Sequence, residues 1–354
     1  MIWKTAGKIM DSKWQAFLED AGAVFEDGTV IHFGNPQREI RIGTSGGILC
    51  DLSHRGLILA EGDDAMTFLQ GQLTNDIAQV NSHRAQLSGY CTPQGRLLAV
   101  FRIFLRNHVF HMELPRSLLE PTLERLRKYV LMSRVRLEYG GECLVRIGYA
   151  APEGDAELAE ALPAAPPSQP FETLETDDFM VLRLPGPVPR FVIYGQSPAM
   201  EKLWTLLDVR AAPVGRQVWD RLDILAGLPD IEPQTVEAFL PQAVNLDLLD
   251  GVSFKKGCYT GQEIVARLHY RGKVKRRMRR VHVQADTPPP PGTPILGRNR
   301  QAAGSIVLAA PSPEGGCDAL AVLANDQINA PLCLKADGEP ALDILQLPYA
   351  LPEE

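Results

Sequence analysis

The chain has 354 residues, too long for one ordinary core, which predicts two or three domains. Its residues are 45% hydrophobic and 22% charged, with a formal net charge of -7. That balance excludes a disordered chain and a wholly basic nucleic-acid binder, so any anion site must be local.

Residues 1 to 45 read as a helical extension, KWQAFLEDAGAVF, followed by a short strand pair ending near REIRIG and packed on the body. The opening run breaks its apolar residues with charge before a signal-peptide core forms, and nowhere do eighteen apolar residues run together. A protein that is neither exported nor membrane-spanning is expected. Over residues 46–140, GLILAEG reads as a strand and DDAMTFLQGQLTNDI as a helix capped by Asp63 or Asp64, with Ala65, Phe68, Leu69 and Leu73 on one apolar stripe. QLSGYCTPQGRLLAVFRIFLRNHVFHMEL then gives strands around a Pro-Gln-Gly turn, and PRSLLEPTLERLRKYVLMSRVRLE a helix and a strand.

Residues 141–272 form a second mixed unit. DAELAEALPAAPPSQPFETLETDD reads as a surface excursion, MVLRLPGPVPRFVIYG as strands, and PAMEKLWTLLDVRAAP and QVWDRLDILAGLPD as amphipathic helices. Strands and helices mix without a strict βαβ beat, which favours α+β over a doubly wound sheet. Residues 273–354, with QADTPPPPGTPIL and short apolar runs between Gly and Pro turns, read as a small all-β domain.

The six cysteines, Cys50, Cys91, Cys143, Cys258, Cys317 and Cys333, stand in no close metal-ligand spacing and fit a reduced cytoplasm. The stretch GVSFKKGCYTGQEIVAR is the most pointed in the chain. Thr260 and Glu263 fit a capping box that opens a helix over GQEIVARLHY. On that reading Cys258 lies near the positive end of the helix dipole and beside Lys255 and Lys256, which favours thiolate over thiol. Gly257 and Gly261 suit a tight turn or close approach. One thiol cannot chelate a metal, and no His/Asp pair marks a protease nucleophile. Redox exchange, transient ligation of a cluster held by another protein, contact with an anionic ligand, and an inert structural turn all stay open. The neighbouring cations Arg267, Arg271, Lys273, Lys275, Arg276, Arg277, Arg279 and Arg280 read either as a basic surface for a polyanion or as a solvated charged strand. Trp219 reads as a core tryptophan or a stacking partner for a flat heterocycle. GQLTND reads as a helix end and turn.

The segments DLSHRGLILAEGDDAMTFLQGQLTND, YCTPQGRLLA, RLRKYVLMSRV, AGLPDI and FLPQAVNLDLLDGVSFKKGCYTGQEIVAR together resemble the YgfZ-type family. These are folate-binding relatives of the glycine-cleavage T-protein, implicated in maintaining iron-sulfur enzymes that include tRNA-thiolating ones. The resemblance rests most on Lys256, Gly257, Cys258, Tyr259, Gly261, Gln262 and Glu263. It implies two α+β folate-binding units that exchange segments and a C-terminal β-barrel, arranged around a central channel. It further implies a functional thiol at Cys258 with Lys256, Tyr259, Gln262 and Glu263 around it. The ligand implied is a tetrahydrofolate-type molecule near Trp219, Arg267, Arg271 and Lys273. Iron-sulfur proteins or cluster-assembly factors, and tRNA, are the implied partners, with no stably held metal. Cys258 is a transient cluster ligand at most. Leu98 stands where the T-protein needs a carboxylate, so aminomethyl transfer, the rival one-carbon reading, is not expected. Leu225 replaces the glutamate of the usual EAG, so an altered folate site is expected. A tRNA-binding module is the other rival, resting on the basic run, and no classical turnover is expected.

Overall fold

The computed structural model describes residues 10–140, 144–297, 300–334 and 339–352. Cys143 and the first nine residues of the expected extension lie outside them.

Helix α1, Ser12–Asp20, starts on Asp11, whose carboxylate accepts from the N–H groups of Lys13 and Trp14. It buries Trp14 and Leu18, and the Trp14 Nε1–H donates to Asp51 at 2.8 Å. The extension is therefore anchored on the body. A hairpin, Val24–Glu26 with Thr29–His32, follows. The strand expected to end near REIRIG is instead helix α2, Pro36–Ser45. Asn35 accepts from the Arg38 N–H, Pro36 occupies the first turn, and buried Glu39 accepts from the N–H groups of Phe33 and Gly215. Those helix-start signals outweigh the alternation of Ile40 and Ile42.

Five antiparallel strands make the first sheet, in the order Gln86–Cys91, Leu97–Arg106, Val109–Pro115, Arg55–Glu61, Arg136–Tyr139. Helix α3, Ala65–Gln72, lays Ala65, Phe68 and Leu69 onto it, and α4, Leu119–Arg127, adds Leu123 and Leu126. Asp64 leads α3 without a capping bond and accepts instead from the Arg134 N–H.

The second sheet runs Thr173–Glu175, Phe179–Leu184, Arg190–Gly195, Val145–Ala150, Gly47–Asp51, Ala211–Val214, and its last pair is parallel. Gly47–Asp51 precedes the first sheet in the chain yet pairs in the second. The start of the expected surface excursion is helix α5, Gly154–Ala161, built of good helix formers around buried Leu158. Helices α6, Ser197–Leu207, and α7, Arg216–Leu225, complete this unit.

Between the sheets, the Phe104 and Tyr194 rings meet at 4.5 Å. Trp219 on α7 packs so closely on the strand Val145–Ala150 that a Cβ at Gly148 would sit 2.5 Å from its ring. Helix α8, Gln262–Arg271, leads into a closed six-stranded barrel of Arg276–Val283, Cys317–Ala324, Ala302–Pro311, Pro294–Leu296, Leu332–Cys333 and Ala341–Leu345. An ion pair of Arg221 on α7 with Asp318, at 2.7 Å, ties the barrel to the second unit. The whole is α+β with a C-terminal barrel, as the sequence predicts. Among the described residues, no helix is long and apolar enough to cross a membrane.

Candidate functional site: a docked loop that displays a thiol

Helix α3 ends with carbonyls that no later turn can bond. Lys256 fills that gap. Its ammonium donates to the carbonyls of Gln70, Leu73 and Asn75 at 2.6, 2.6 and 2.9 Å, so a cation from far along the chain caps the negative end of the helix. The Tyr259 ring lies 5.1 Å from the same ammonium. Burial pulls Lys256 down to about 8, with Asp76 acting in the opposite sense.

The strand-like path before the lysine is pinned to the same segment. Thr74 Oγ1 donates to the Gly251 carbonyl at 2.7 Å, the Ser253 N–H donates to the Thr74 carbonyl at 3.0 Å, and Asn75 Nδ2 donates to the Asp250 carbonyl at 2.5 Å. The run GQLTND, which reads locally as a helix end and turn, is thus the dock for the cysteine loop. Nothing local signals this, because every partner lies more than 170 residues away.

The far side of the loop is clamped too. Gly261 has φ +85°, and a Cβ there would meet the Thr92 carbonyl at 2.5 Å and Gly95 Cα at 2.9 Å. Only glycine fits between α8 and the Pro-Gln-Gly turn. Gly257 is under no such demand: it is exposed with open space around it. Gly261 also takes the N-cap position, so the expected Thr260/Glu263 capping box does not form. Glu263 is exposed in the first turn, where it complements the dipole, and the Gln262 N–H donates to the Tyr259 carbonyl at 3.1 Å.

Between these two clamps Cys258 is exposed. The Lys256 ammonium, expected to favour the thiolate from nearby in the chain, is bonded to the three carbonyls at the end of α3. Lys255 remains exposed nearby in the chain. Tyr259 is 7% exposed, and burial raises its phenol, whose oxygen has no hydrogen-bond partner among the described residues. The loop therefore buries Tyr259, half-buries Lys256 and presents Cys258.

Beside the loop lies a cavity of about 1080 Å³ lined by Gln86, Phe171, Asp250, Phe254, Lys255 and Tyr270 among others. His269 stacks on Phe254 at 3.7 Å between ring centroids, and Tyr270 packs edge-on to both. Gln86 Nε2 is buried here without a partner. Aromatic faces plus an unspent amide suit a flat heterocycle with polar edges. No sequence signal marked Gln86.

Trp219, expected beside the ligand, does not line this cavity. It is 1% exposed, one side of its ring is filled by Gly148, and the Arg190 guanidinium lies 5.4 Å from the ring centroid. Arg267, Arg271 and Lys273 are exposed on and just after α8, and none lines the large cavity. Lys273, Lys275 and Arg276 line a separate cavity of about 700 Å³ against the barrel. Arg277 lines it too, but is buried and pairs with Asp247 through two bonds at 2.6 and 3.0 Å.

Where Leu225 and Leu98 replace carboxylates, the interior is filled otherwise. Leu98 is buried in the core. Close to Leu225, Asp223 accepts from Arg102 and Arg190, both at 2.6 Å, so its carboxylate is fully engaged. Glu113 accepts from Arg55 and Arg102 at 3.1 Å and from the Tyr194 hydroxyl at 2.5 Å, and Arg55 also pairs with Asp230. Burial pushes Glu113 and Asp223 up, but the arginines outweigh it and hold both below the usual carboxylate range. Among the described residues, no three His, Cys, Asp or Glu side chains converge as a metal site.

The layered sheets, the barrel and the glycine-clamped loop define a protein of the T-protein fold class. The solved glycine cleavage system aminomethyltransferase T from Bartonella henselae matches with a TM-score of 0.78, covering 95% of this chain and 96% of that one at 19% identity. No family model matches the chain. In sequence, the tRNA-modifying protein YgfZ of Yersinia enterocolitica is 33% identical over 310 residues, 86% of this chain and 93% of its own length. The same protein of Serratia proteamaculans is 32% identical over equal shares. The chain belongs to the YgfZ family.

Proposed function

We propose that this protein binds a reduced folate in the cavity beside the loop and, through Cys258, supports the assembly or repair of iron-sulfur enzymes in the cytoplasm, tRNA-thiolating enzymes among them. The observation that carries the reading is the loop itself. Two clamps on opposite sides hold a segment whose one exposed reactive group is a thiol. A buried cysteine inside a structural turn needs no such display. The tRNA-modifying role named for the relatives supports the choice of client.

The cavity residues fit a folate. Phe254, Tyr270 and Phe171 offer faces to a pteridine, Gln86 Nε2 and the Asp250 carboxylate offer edges, and Lys255 offers charge to a glutamate tail. Arg267, Arg271 and Lys273 extend the positive field beyond the rim. A bound tetrahydrofolate supplies a reduced pteridine and nitrogens that carry one-carbon units. Aminomethyl transfer is not part of the proposal, because buried Leu98 provides neither a proton acceptor nor a charge. One thiol also cannot hold a cluster alone, so any contact of Cys258 with iron requires ligands from a partner.

Calorimetric titration with tetrahydrofolate tests the ligand. Saturable binding that weakens in Gln86→Leu and Phe254→Ala and persists in Trp219→Phe is the expected result. No saturation at low salt, or loss in Trp219→Phe alone, removes the folate from this cavity.

A further inference from the structure

A second cavity, about 820 Å³, opens between the turn joining Leu97–Arg106 to Val109–Pro115 and the start of α6. It shares no lining residue with the cavity beside the loop. Arg106 lines it. This arginine is 7% exposed, its Nε is buried without a partner, and among the described residues it makes no hydrogen bond or ion pair. Arg55, Arg102 and Arg190, buried between the sheets, each pair with a carboxylate, whereas Arg106 has Glu175 and Asp178 in its neighbourhood and, like buried Arg146, forms no ion pair among the described residues. A guanidinium whose inner N–H is shut away from water without a partner is costly unless something else supplies one.

Three further features face the same space. Helix α6 begins at the cavity wall, with Gln196, Pro198 and Ala199 lining it, and no side chain caps its N-terminus. Lys202, one turn on, is exposed at the rim, opposite the exposed carboxylates of Asp177 and Asp178. His111 stacks on Phe104 at 4.8 Å and bonds the Val109 carbonyl through Nδ1 at 2.9 Å. Burial, with Arg106 adding to it, pulls this ring down to about 4, so near neutral pH Nδ1 carries the one proton and Nε2 is an acceptor. Leu59, Val109, Phe179, Leu203 and Leu206 supply apolar walls.

We infer that this cavity is a binding site for a compact organic carboxylate that carries a hydroxyl or N–H donor on an apolar body. The Arg106 fork takes the carboxylate opposite the start of α6, and His111 Nε2 takes the donor. Inorganic phosphate satisfies the cation but leaves the leucines and phenylalanine unfilled. The site stands independently of the folate reading, which concerns different residues.

Titration of the full chain with salicylate, whose hydroxyl neighbours its carboxylate, tests this by calorimetry, with benzoate, inorganic phosphate and tetrahydrofolate as comparators. The expected order is salicylate above benzoate, with Arg106→Gln weakening salicylate at least about tenfold. Lys202→Glu, at an exposed position that leaves the fold intact, weakens it as well and carries the test if Arg106→Gln does not fold. Tetrahydrofolate leaves salicylate binding unchanged. Absence of salicylate binding, or equal affinity in both variants, overturns the site. Displacement by phosphate at matched concentration overturns the carboxylate assignment, and displacement by tetrahydrofolate overturns its independence.

Discussion

Charge is held away from solvent on two opposite terms, by ion pairs between the sheets and by carbonyl dipoles beneath the cysteine loop. Between the sheets, Arg55, Arg102 and Arg190 meet Glu113, Asp223 and Asp230, so each formal charge has a counter-charge in direct contact. Under the loop one ammonium meets three carbonyl oxygens, and no carboxylate is in ion-pair reach among the described residues. Full ion pairs in a low-dielectric interior lock two layers together and leave nothing over to react. Carbonyl dipoles hold a single cation less tightly, but they fix a loop in place while leaving the neighbouring side chain unspent. The first arrangement makes a rigid joint, the second a display.

Removing one member from each region should separate them most sharply. Glu113→Ala leaves Arg55 and Arg102 without their shared carboxylate, and a loss of about 3–5 kcal/mol is expected in urea unfolding. A loss under about 1 kcal/mol would mean the layers are held by apolar contact alone. Lys256→Met strips the end of α3 of its cap and should cost less, about 1–3 kcal/mol, while making residues 251–261 sensitive to protease. Lys256→Arg should not rescue it, because a planar fork does not match three carbonyls arranged around one point.

The two regions also titrate in opposite ranges. Glu113 and Asp223 are held below the usual carboxylate values, so the stability they contribute is complete above about 4.5 and is lost as pH falls through their folded values. Lys256 has the same sign in another range and for another reason: its folded value of about 8 lies under its ordinary 10.5, the unfolded chain binds more protons in between, and the cost of burying the charged ammonium is relieved as pH rises across that window. Unfolding free energies measured from pH 3 to 10 should show both limbs, with Glu113→Gln flattening the acid one and Lys256→Met the alkaline one. The smallest effect belongs to Thr260→Ala, within about 0.5 kcal/mol of wild type by thermal melt, since Gly261 and not Thr260 leads α8. A loss near 1 kcal/mol would restore the capping box.

These contrasts track what the sequence makes legible. The stripe of Ala65, Phe68 and Leu69, the strands around the Pro-Gln-Gly turn and the barrel all follow from local periodicity, and the KGCYTGQE run marks its own importance. REIRIG misleads because two isoleucines alternate like a strand while the decisive Asn-Pro start lies just before them. Thr260 and Glu263 have capping-box spacing, yet the close approach of Gly95 places Gly261 at the cap instead. Lys256 under α3, Asn75 on Asp250 and Arg102 on Asp223 join residues more than 100 positions apart, and no pattern in the chain pairs them. Trp219 reads by default as core, with stacking open beside it, and its close packing on the bare backbone of Gly148 is invisible in the sequence.

The display itself is tested most directly by Cys258→Ala, measured by thermal melt, by tetrahydrofolate titration and by the ability to sustain an iron-sulfur tRNA-thiolating enzyme in cells lacking the protein. Iodoacetamide provides the control. Cys258 should be the fastest of the five described cysteines to react, since Cys50, Cys91 and Cys317 are buried with burial raising each thiol, and Cys333 is half-buried. The account predicts that the variant melts with wild type and binds tetrahydrofolate as tightly, yet fails to sustain tRNA thiolation. A variant that unfolds, or one that sustains thiolation fully, contradicts it.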